Sequence, residues 1–182
     1  MAPRQSVTIR AVKDGDVPTI TSIYADAVVH STATYEIEPP DQTEISKRIS
    51  AIKSSGFPYF VAVNDSPHVL GYAYVSSFRT RPAYRFSVEN TVYVSPDAKG
   101  QGVGRLLMEH LIRECERLGF RQIIAVIGDD GPQNASVLFH EKLGFRHAGK
   151  LEGSGFKFGR WLDTVLMQLS INGGTQTLPE EP

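Results

Sequence analysis

The stretch Glu89-Asn90-Thr91-Val92-Tyr93-Val94-Ser95-Pro96-Asp97-Ala98-Lys99-Gly100-Gln101-Gly102-Val103-Gly104-Arg105 decides the reading of this chain. Its first part is rich in β-formers and stops at Pro96, as a strand does. Beyond the glycines, Val103, Leu106, Leu107, Leu111 and Leu118 recur at helical spacing. Strand, glycine turn and helix in that order present unpaired backbone N–H groups at the positive end of a helix dipole, a cradle for phosphate. Glycine at 100, 102 and 104 lets the main chain approach a pyrophosphate with no Cβ in the way. A Walker loop would end in Gly-Lys-Ser/Thr, whereas Gly104 is followed by Arg105 and Leu106. A dinucleotide fingerprint needs G-x-G-x-x-G early in a βαβ unit, whereas the spacing here is G-x-G-x-G, past the middle of the chain. The stretch predicts a phosphate-bearing cofactor of another kind.

Composition narrows the class. The chain has 182 residues, 41% hydrophobic and 21% charged, with a formal net charge of -1. That suits one soluble domain with a real core, and it argues against nucleic acid or membrane as the main partner. No apolar run approaches the roughly 20 residues that span a bilayer. The opening Met1-Ala2-Pro3-Arg4-Gln5-Ser6 lacks the apolar core of a signal peptide, so a reducing cytoplasm is the expected location. The single cysteine, Cys115, excludes an internal disulfide and a multi-cysteine metal site. It falls four residues after Leu111 on the apolar helix face and reads as core. The five histidines are scattered, and no metal cofactor is expected.

The remaining elements follow from periodicity. Val7–Val12 alternates as a first strand, and Asp14 or Asp16 is placed to cap a helix with Pro18 in its first turn. Residues 31–40 are irregular, and Asp41 opens a second helix with Ile45, Ile49 and Ile52 inward. Two hairpin strands follow, 59–64 and 69–78, then a loop over 79–85 and a strand over 86–94. After the glycine turn come a helix over 103–118, a continuous apolar run at 122–127 as in a central strand, and a short helix over 134–143. Residues 145–151 and 161–171 read as closing strands. Residues 172–182 hold few apolar side chains and are predicted to be a disordered tail, leaving 5–171 as a single domain.

The glycine turn resembles the pyrophosphate loop of the GCN5-related N-acetyltransferases, R/Q-x-x-G-x-G/A, with Lys99 where that family prefers Arg or Gln. The element order β-α-α-β-β-β-α-β-α-β-β is that of the acetyltransferase fold, an α/β (α+β) fold on a mixed sheet. A closer resemblance covers residues 5–171 and is to the phosphinothricin and methionine sulfoximine/sulfone acetyltransferases. It rests on Arg81-x-x-Tyr84, Val88-Glu89-Asn90-Thr91-Val92-Tyr93-Val94, Ala125-Val126-Ile127-Gly128, Leu138-Phe139-His140-Glu141-Lys142-Leu143-Gly144-Phe145 and Gly155-Phe156-Lys157-Phe158-Gly159-Arg160-Trp161-Leu162-Asp163. The order and spacing of these segments are specific. Arg81-Pro82-Ala83-Tyr84 is similar to the herbicide-detoxifying branch, whereas 157–163 is more like the methionine sulfone branch.

That resemblance implies transfer of acetyl from acetyl-CoA to the α-amine of a small amino-acid analogue. An ammonium is not a nucleophile, so a base must take its proton, directly or through water. The family places its proposed base at Glu89. A glutamate ion-paired with Arg79, Arg81 or Arg85 is the competing reading. Backbone N–H groups near Val92, Tyr93 and Val94 are implied to hold the pantetheine arm and stabilise the oxyanion, with Lys99, Gly100, Gln101, Gly102, Val103, Gly104 and Arg105 around the pyrophosphate. His140 stands where many acetyltransferases carry a tyrosine that protonates the leaving thiolate. It serves as that donor, as a cofactor hydrogen bond, or as a packed helix histidine between Phe139 and Phe145. The pantetheine-binding amide is Gln133 by strict spacing, or Asn134 one residue later. Arg79, Arg81 and Tyr84 are candidates for substrate recognition, because a guanidinium fork matches a carboxylate or phosphinate. Tyr35 resembles the aromatic that lids the family's pocket. The family is usually homodimeric. Acetylation of a protein N-terminus or lysine, and a non-catalytic acyl-CoA sensor, are the alternative functions.

Overall fold

The computed structural model describes residues 6–66, 68–129, 131 and 134–179. Its elements follow the expected order: β1 (Thr8–Ala11), α1 (Val17–His30), α2 (Gln42–Ser54), β2 (Tyr59–Val63), β3 (Val69–Ser77), β4 (Ser87–Val94), α3 (Val103–Arg117), β5 (Gln122–Asp129), α4 (Ala135–Lys142), β6 (Arg146–Lys157) and β7 (Arg160–Ser170). The seven strands run in the order β1-β2-β3-β4-β5-β7-β6, and the sheet is mixed because β4 and β5 are parallel. The described residues fall into two compact units whose segments interleave along the chain.

The first unit takes residues 6–25, 40–75 and 91–113. β1 lies antiparallel to β2, with Thr8 opposite Val63 and Ala11 opposite Phe60, and β2 lies antiparallel to β3. Ile20 and Ile23 of α1, Ile45 and Ile49 of α2, and Val61 and Tyr72 of the sheet close one core. Their three- and four-residue spacings are what an amphipathic helix needs to lay a stripe on a sheet. Asp41 caps α2 as expected, its carboxylate accepting from the Glu44 amide at 2.8 Å. The start of α1 differs from expectation. Asp14–Asp16 form a 3-10 turn leading into α1. The buried Asp16 carboxylate turns back to accept from the Lys13 amide at 2.8 Å and from the Arg10 guanidinium at 2.7 and 2.8 Å.

The second unit takes residues 26–39, 76–90 and 114–179. Ser87–Glu89 of β4 face Gln122–Ile124 of β5, and that parallel ladder ends at Glu89. β5 pairs antiparallel with β7 along its whole length, and β7 with β6. The apolar run of β5 is not buried on both faces: Ile123, Ala125 and Ile127 are inside, but Val126 is 41% exposed. β6 continues six residues past its expected end at Leu151, because two bulges absorb the polar and glycine-rich stretch. At the second, three residues (152–154) stand opposite Asp163, whose carboxylate accepts from the Gly153 amide and from Lys150 Nζ, each at 2.8 Å.

The tail expected to be disordered is docked as far as the description reaches. Asn172 Nδ2 donates to the Glu116 and Phe120 carbonyls at 2.8 and 3.0 Å, and Arg121 binds Thr177 Oγ1 at 2.9 Å and the Leu178 carbonyl. Polar side chains reaching main-chain carbonyls and Thr177 Oγ1 hold this segment, so its low apolar content does not reveal it.

The Arg10–Asp16 pair sets a testable term in stability. Burial alone would raise the Asp16 carboxyl, but the Arg10 hydrogen bonds and the Lys13 amide outweigh it and hold the group below its ordinary range. A depressed carboxylate stabilises the fold above its unfolded value of about 3.9 and loses that contribution as pH falls through its folded value. Arg10→Met is expected to cost about 2–3 kcal/mol at neutral pH, read by urea unfolding, and to remove part of the acid dependence of stability.

Candidate active site

In the first unit, the glycine turn has the geometry of an anion cradle. Ser95-Pro96 ends the strand, Pro96–Ala98 form a 3-10 turn, and Lys99 is extended. Gly100 and Gly102 adopt φ of 75° and 84°, a region closed to most side chains. The first helical hydrogen bond of α3 runs from the Leu106 amide to the Gly102 carbonyl at 3.1 Å. The amides of Val103, Gly104 and Arg105 therefore have no partner inside the helix. Gly104 belongs to the helix itself, so two of the three glycines carry the turn. Gln101 braces it through Nε2 to the Asp97 carbonyl at 2.7 Å. Lys99 is exposed, whereas Arg105 is ion-paired with Glu109 at 2.6 Å along the helix. On β4, Val92, Tyr93 and Val94 are half-buried. The Tyr93 ring packs against Tyr24 and Tyr72.

In the second unit, Glu89 is half-buried on β4. Burial raises its carboxyl above the ordinary range, and the charge of Arg79 pulls the other way. Arg79 lies over the Phe78 ring at 5.1 Å, and the edge of Tyr84 meets the same ring with centroids 6.0 Å apart. Phe78 thus gathers two of the three substrate candidates. Arg81 is exposed and extended (φ -72°, ψ 137°), as Pro82 demands, and Pro82–Tyr84 form a 3-10 turn.

Tyr35 is fixed to the sheet. Its hydroxyl donates to the Asp163 carbonyl and lies 3.5 Å from Thr164 Oγ1. Its ring occupies the space that a Cβ at Gly155 would need, and a Cβ at Gly128 would fall on the Thr32 carbonyl. The loop before it is held by Lys157, whose Nζ donates to the Ser31 carbonyl at 2.9 Å and the Thr34 carbonyl at 2.8 Å. Lys157 is only 5% exposed, and burial lowers its ammonium pKa while the Glu36 charge opposes that. Gly128, Gly155 and Lys157 were visible in the sequence as parts of a resemblance, without a role. Their shared signal is small or long residues facing one irregular loop.

His140 is 3% exposed. Its Nδ1 lies 2.8 Å from the Ser136 carbonyl and its Nε2 3.0 Å from Asn90 Nδ2. Burial lowers its pKa, with the Ser136 carbonyl opposing. Asn134 caps α4, accepting from the Ser136 and Val137 amides at 2.9 and 3.2 Å, and donates through Nδ2 to the Gly128 carbonyl at 2.8 Å. Gln133, the other candidate for the pantetheine contact, lies outside the described residues. Among the described residues no group of three or more His, Cys, Asp or Glu converges as a metal site would, and no helix is long and apolar enough to cross a membrane. Cys115 is buried, with its thiol pushed up to about 12 by burial and by Glu114 and Glu116.

Known proteins share this arrangement. The family model for the acetyltransferase (GNAT) domain matches residues 9–166. A phosphinothricin N-acetyltransferase of Alcaligenes faecalis is 51% identical over 177 residues, covering 97% of this chain and 89% of that protein. An L-methionine sulfoximine/L-methionine sulfone acetyltransferase of Pseudomonas paraeruginosa is 36% identical, covering 92% and 96%. The crystal structure of a GNAT superfamily phosphinothricin acetyltransferase from Sinorhizobium meliloti, in complex with AcCoA, superposes with a TM-score of 0.92 at 46% identity, covering 96% of this chain and 94% of that one. With the strand, glycine turn and helix in the family's order and the family model spanning most of its length, this chain belongs to the GNAT acetyltransferases.

Proposed function

We propose that residues 5–171 form one N-acetyltransferase domain that transfers acetyl from acetyl-CoA to the α-amine of a small anionic amino-acid analogue of the phosphinothricin or methionine sulfoximine/sulfone type. The observation that carries this is the helix-start anion cradle of the first unit, and the half-buried carboxyl of Glu89 in the second, raised by burial, supports it. The residues fit the cofactor: the Val103–Arg105 amides and the exposed Lys99 suit a pyrophosphate, and the main chain of Val92–Val94 suits pantetheine amides and the acyl oxygen. Bound acetyl-CoA supplies an activated thioester. Glu89 takes the proton of the substrate ammonium, and its raised pKa makes it a better base than a surface glutamate. Arg79, Arg81 and Tyr84 hold the anionic groups and the side chain. Tyr35, locked against the sheet, walls the substrate rather than swinging over it. The buried Cys115, the one cysteine of the chain, is compatible with a reducing cytoplasm.

Thiol release from acetyl-CoA against phosphinothricin, methionine sulfoximine, methionine sulfone, ordinary amino acids and a lysine peptide tests the assignment. Turnover confined to the amino-acid analogues is expected. Activity on the peptide alone would overturn it, and acetyl-CoA binding without turnover on any amine would favour the sensor reading.

Glu89→Gln should lower turnover roughly 10²–10⁴-fold with little change in acetyl-CoA affinity. Arg79→Gln removes the charge that opposes burial, so the acid limb of kcat/KM should move to higher pH. A limb that stays in place would separate Glu89 from the titration.

The pairing of two chains forms part of the same proposal. The β6–β7 hairpin exposes Phe156, Phe158 and Trp161, the last at 70%, with the Phe156 and Trp161 rings 5.0 Å apart. Phe158 sits at φ 54° in the hairpin turn, a conformation that costs a non-glycine residue about 1–2 kcal/mol. We assign this surface to a homodimer contact. Light scattering at micromolar concentration should give twice the 20.1 kDa of one chain, and Trp161→Glu should give the single mass.

A further inference from the structure

The strongest unassigned feature is the buried link between α4 and β4. Side chains alternate along a strand, so Glu89 and Asn90 point to opposite faces. Behind Glu89, the Asn90 amide is buried and meets His140 Nε2 at 3.0 Å. The tautomer of the neutral histidine follows from its other nitrogen. A main-chain carbonyl only accepts, so Nδ1, 2.8 Å from the Ser136 oxygen, carries the proton. Nε2 then offers its lone pair to the Asn90 Nδ2 hydrogen. Phe139 and Phe145 flank the ring edge-on, with centroids 5.3 and 4.9 Å away. Of the four residues that bond or flank the ring, none titrates. With Asn90 Nδ2 turned toward the ring, an imidazolium would place a second N–H against the amide hydrogens inside an aromatic wall.

We propose that His140 is a positioning residue: as a neutral Nδ1–H imidazole it holds Asn90, and through the strand it fixes the direction of Glu89, instead of protonating the departing thiolate. This rests on the reading of Glu89 as the base. The nitrogen gives up two protons. Glu89 takes the first from the ammonium before attack and passes it to solvent. The second, shed as the tetrahedral intermediate expels the thiolate, reaches that thiolate through Glu89 or solvent, so His140 exchanges none. The assignment also accounts for a histidine where the fold commonly offers a phenol: an imidazole has an acceptor nitrogen for Asn90 and a donor for the helix carbonyl at once.

Two variants and one spectrum test it. His140→Gln keeps an acceptor, whereas His140→Phe has none, and neither carries a proton to donate at neutral pH. Positioning predicts that His140→Phe lowers kcat/KM for the amine about tenfold, that His140→Gln recovers part of this, and that the alkaline limb of the pH profile stays in place in both. A proton donor predicts equal losses of roughly 10²–10⁴-fold and the disappearance of that limb, which would overturn the assignment. Nitrogen-15 spectra of the wild-type imidazoles read the same question without turnover. The Nδ1–H neutral pattern for His140 should persist from about pH 5.5 to pH 8.5, across the ordinary histidine range. An imidazolium pattern within it would overturn the assignment even if the variants failed to fold. If the wild-type chain acetylated no amine, the reading of Glu89 as base would fall, while the spectrum would still decide the state of His140.

Discussion

One strand has to meet two opposed demands on adjacent residues. On the proposed reading, with Glu89 as the base, β4 must keep Glu89 dry enough to take a proton yet open enough to meet a substrate, while it buries Asn90 on the other face. The alternation of a strand makes this possible, because neighbouring side chains see different environments across one thickness of backbone. The parallel ladder with β5 ends at Glu89, so the base stands on the last residue that this pairing holds. A carboxylate in such a place would wander if only one side of the strand were tied. On the inference drawn above, the Asn90–His140 bond supplies the tie from behind, with Phe139 and Phe145 flanking the ring. Rigidity at this residue has a direct kinetic meaning, since proton transfer depends on heavy-atom distances near hydrogen-bonding range.

The second constraint is the loop of residues 31–39. It is irregular, as its sequence suggests, and it is held by a buried ammonium. Placing a lysine at 5% exposure is costly unless its protons are satisfied, and the Ser31 and Thr34 carbonyls accept two of them. Those two bonds fix the turn immediately before Tyr35. Gly155 then leaves room for the Tyr35 ring, and the Asp163 carbonyl receives its hydroxyl. Asp163 itself is held by Gly153 and Lys150 at the bulge of β6. Tyr35 is therefore fixed by a chain of contacts on the strands, and on the proposed reading this limits the ordering cost of binding a small substrate.

The parts legible in the sequence share a property: they depend on neighbours in the chain. The glycine turn, the amphipathic α1 and α2, the Asp41 cap and the extended Arg81 before Pro82 are all local consequences of residue type. What escaped depends on distant partners or on main-chain atoms. Lys157 meets two carbonyls more than 120 residues away, and a carbonyl has no side-chain signature. His140 meets Asn90 fifty residues away, so its helix face shows apolar neighbours but not the amide that sets its tautomer. The stretch Glu152–Ser154 looks like a loop because its composition is polar, and only the register with Asp163 reveals a bulge inside a long strand. The exposure of Val126 was hidden for a related reason, since a run of apolar residues does not say which face is covered.

The two influences on Glu89 also explain why arginines belong near this base. Burial pushes its carboxyl up and Arg79 pulls it down, with burial the larger influence. On the proposed reading, an anionic group of the substrate seats against Arg79 and offsets that positive charge. The pull on Glu89 then weakens while burial deepens, and both changes move its pKa further up. The relief of the Arg79 pull thus offsets the opposing pull that the substrate's own ammonium exerts on the carboxylate. A substrate lacking the anionic group would bind less well and would also meet a poorer base. Selectivity for an anionic amine is thus expressed in the proton-transfer step as well as in binding, and the same guanidinium serves both.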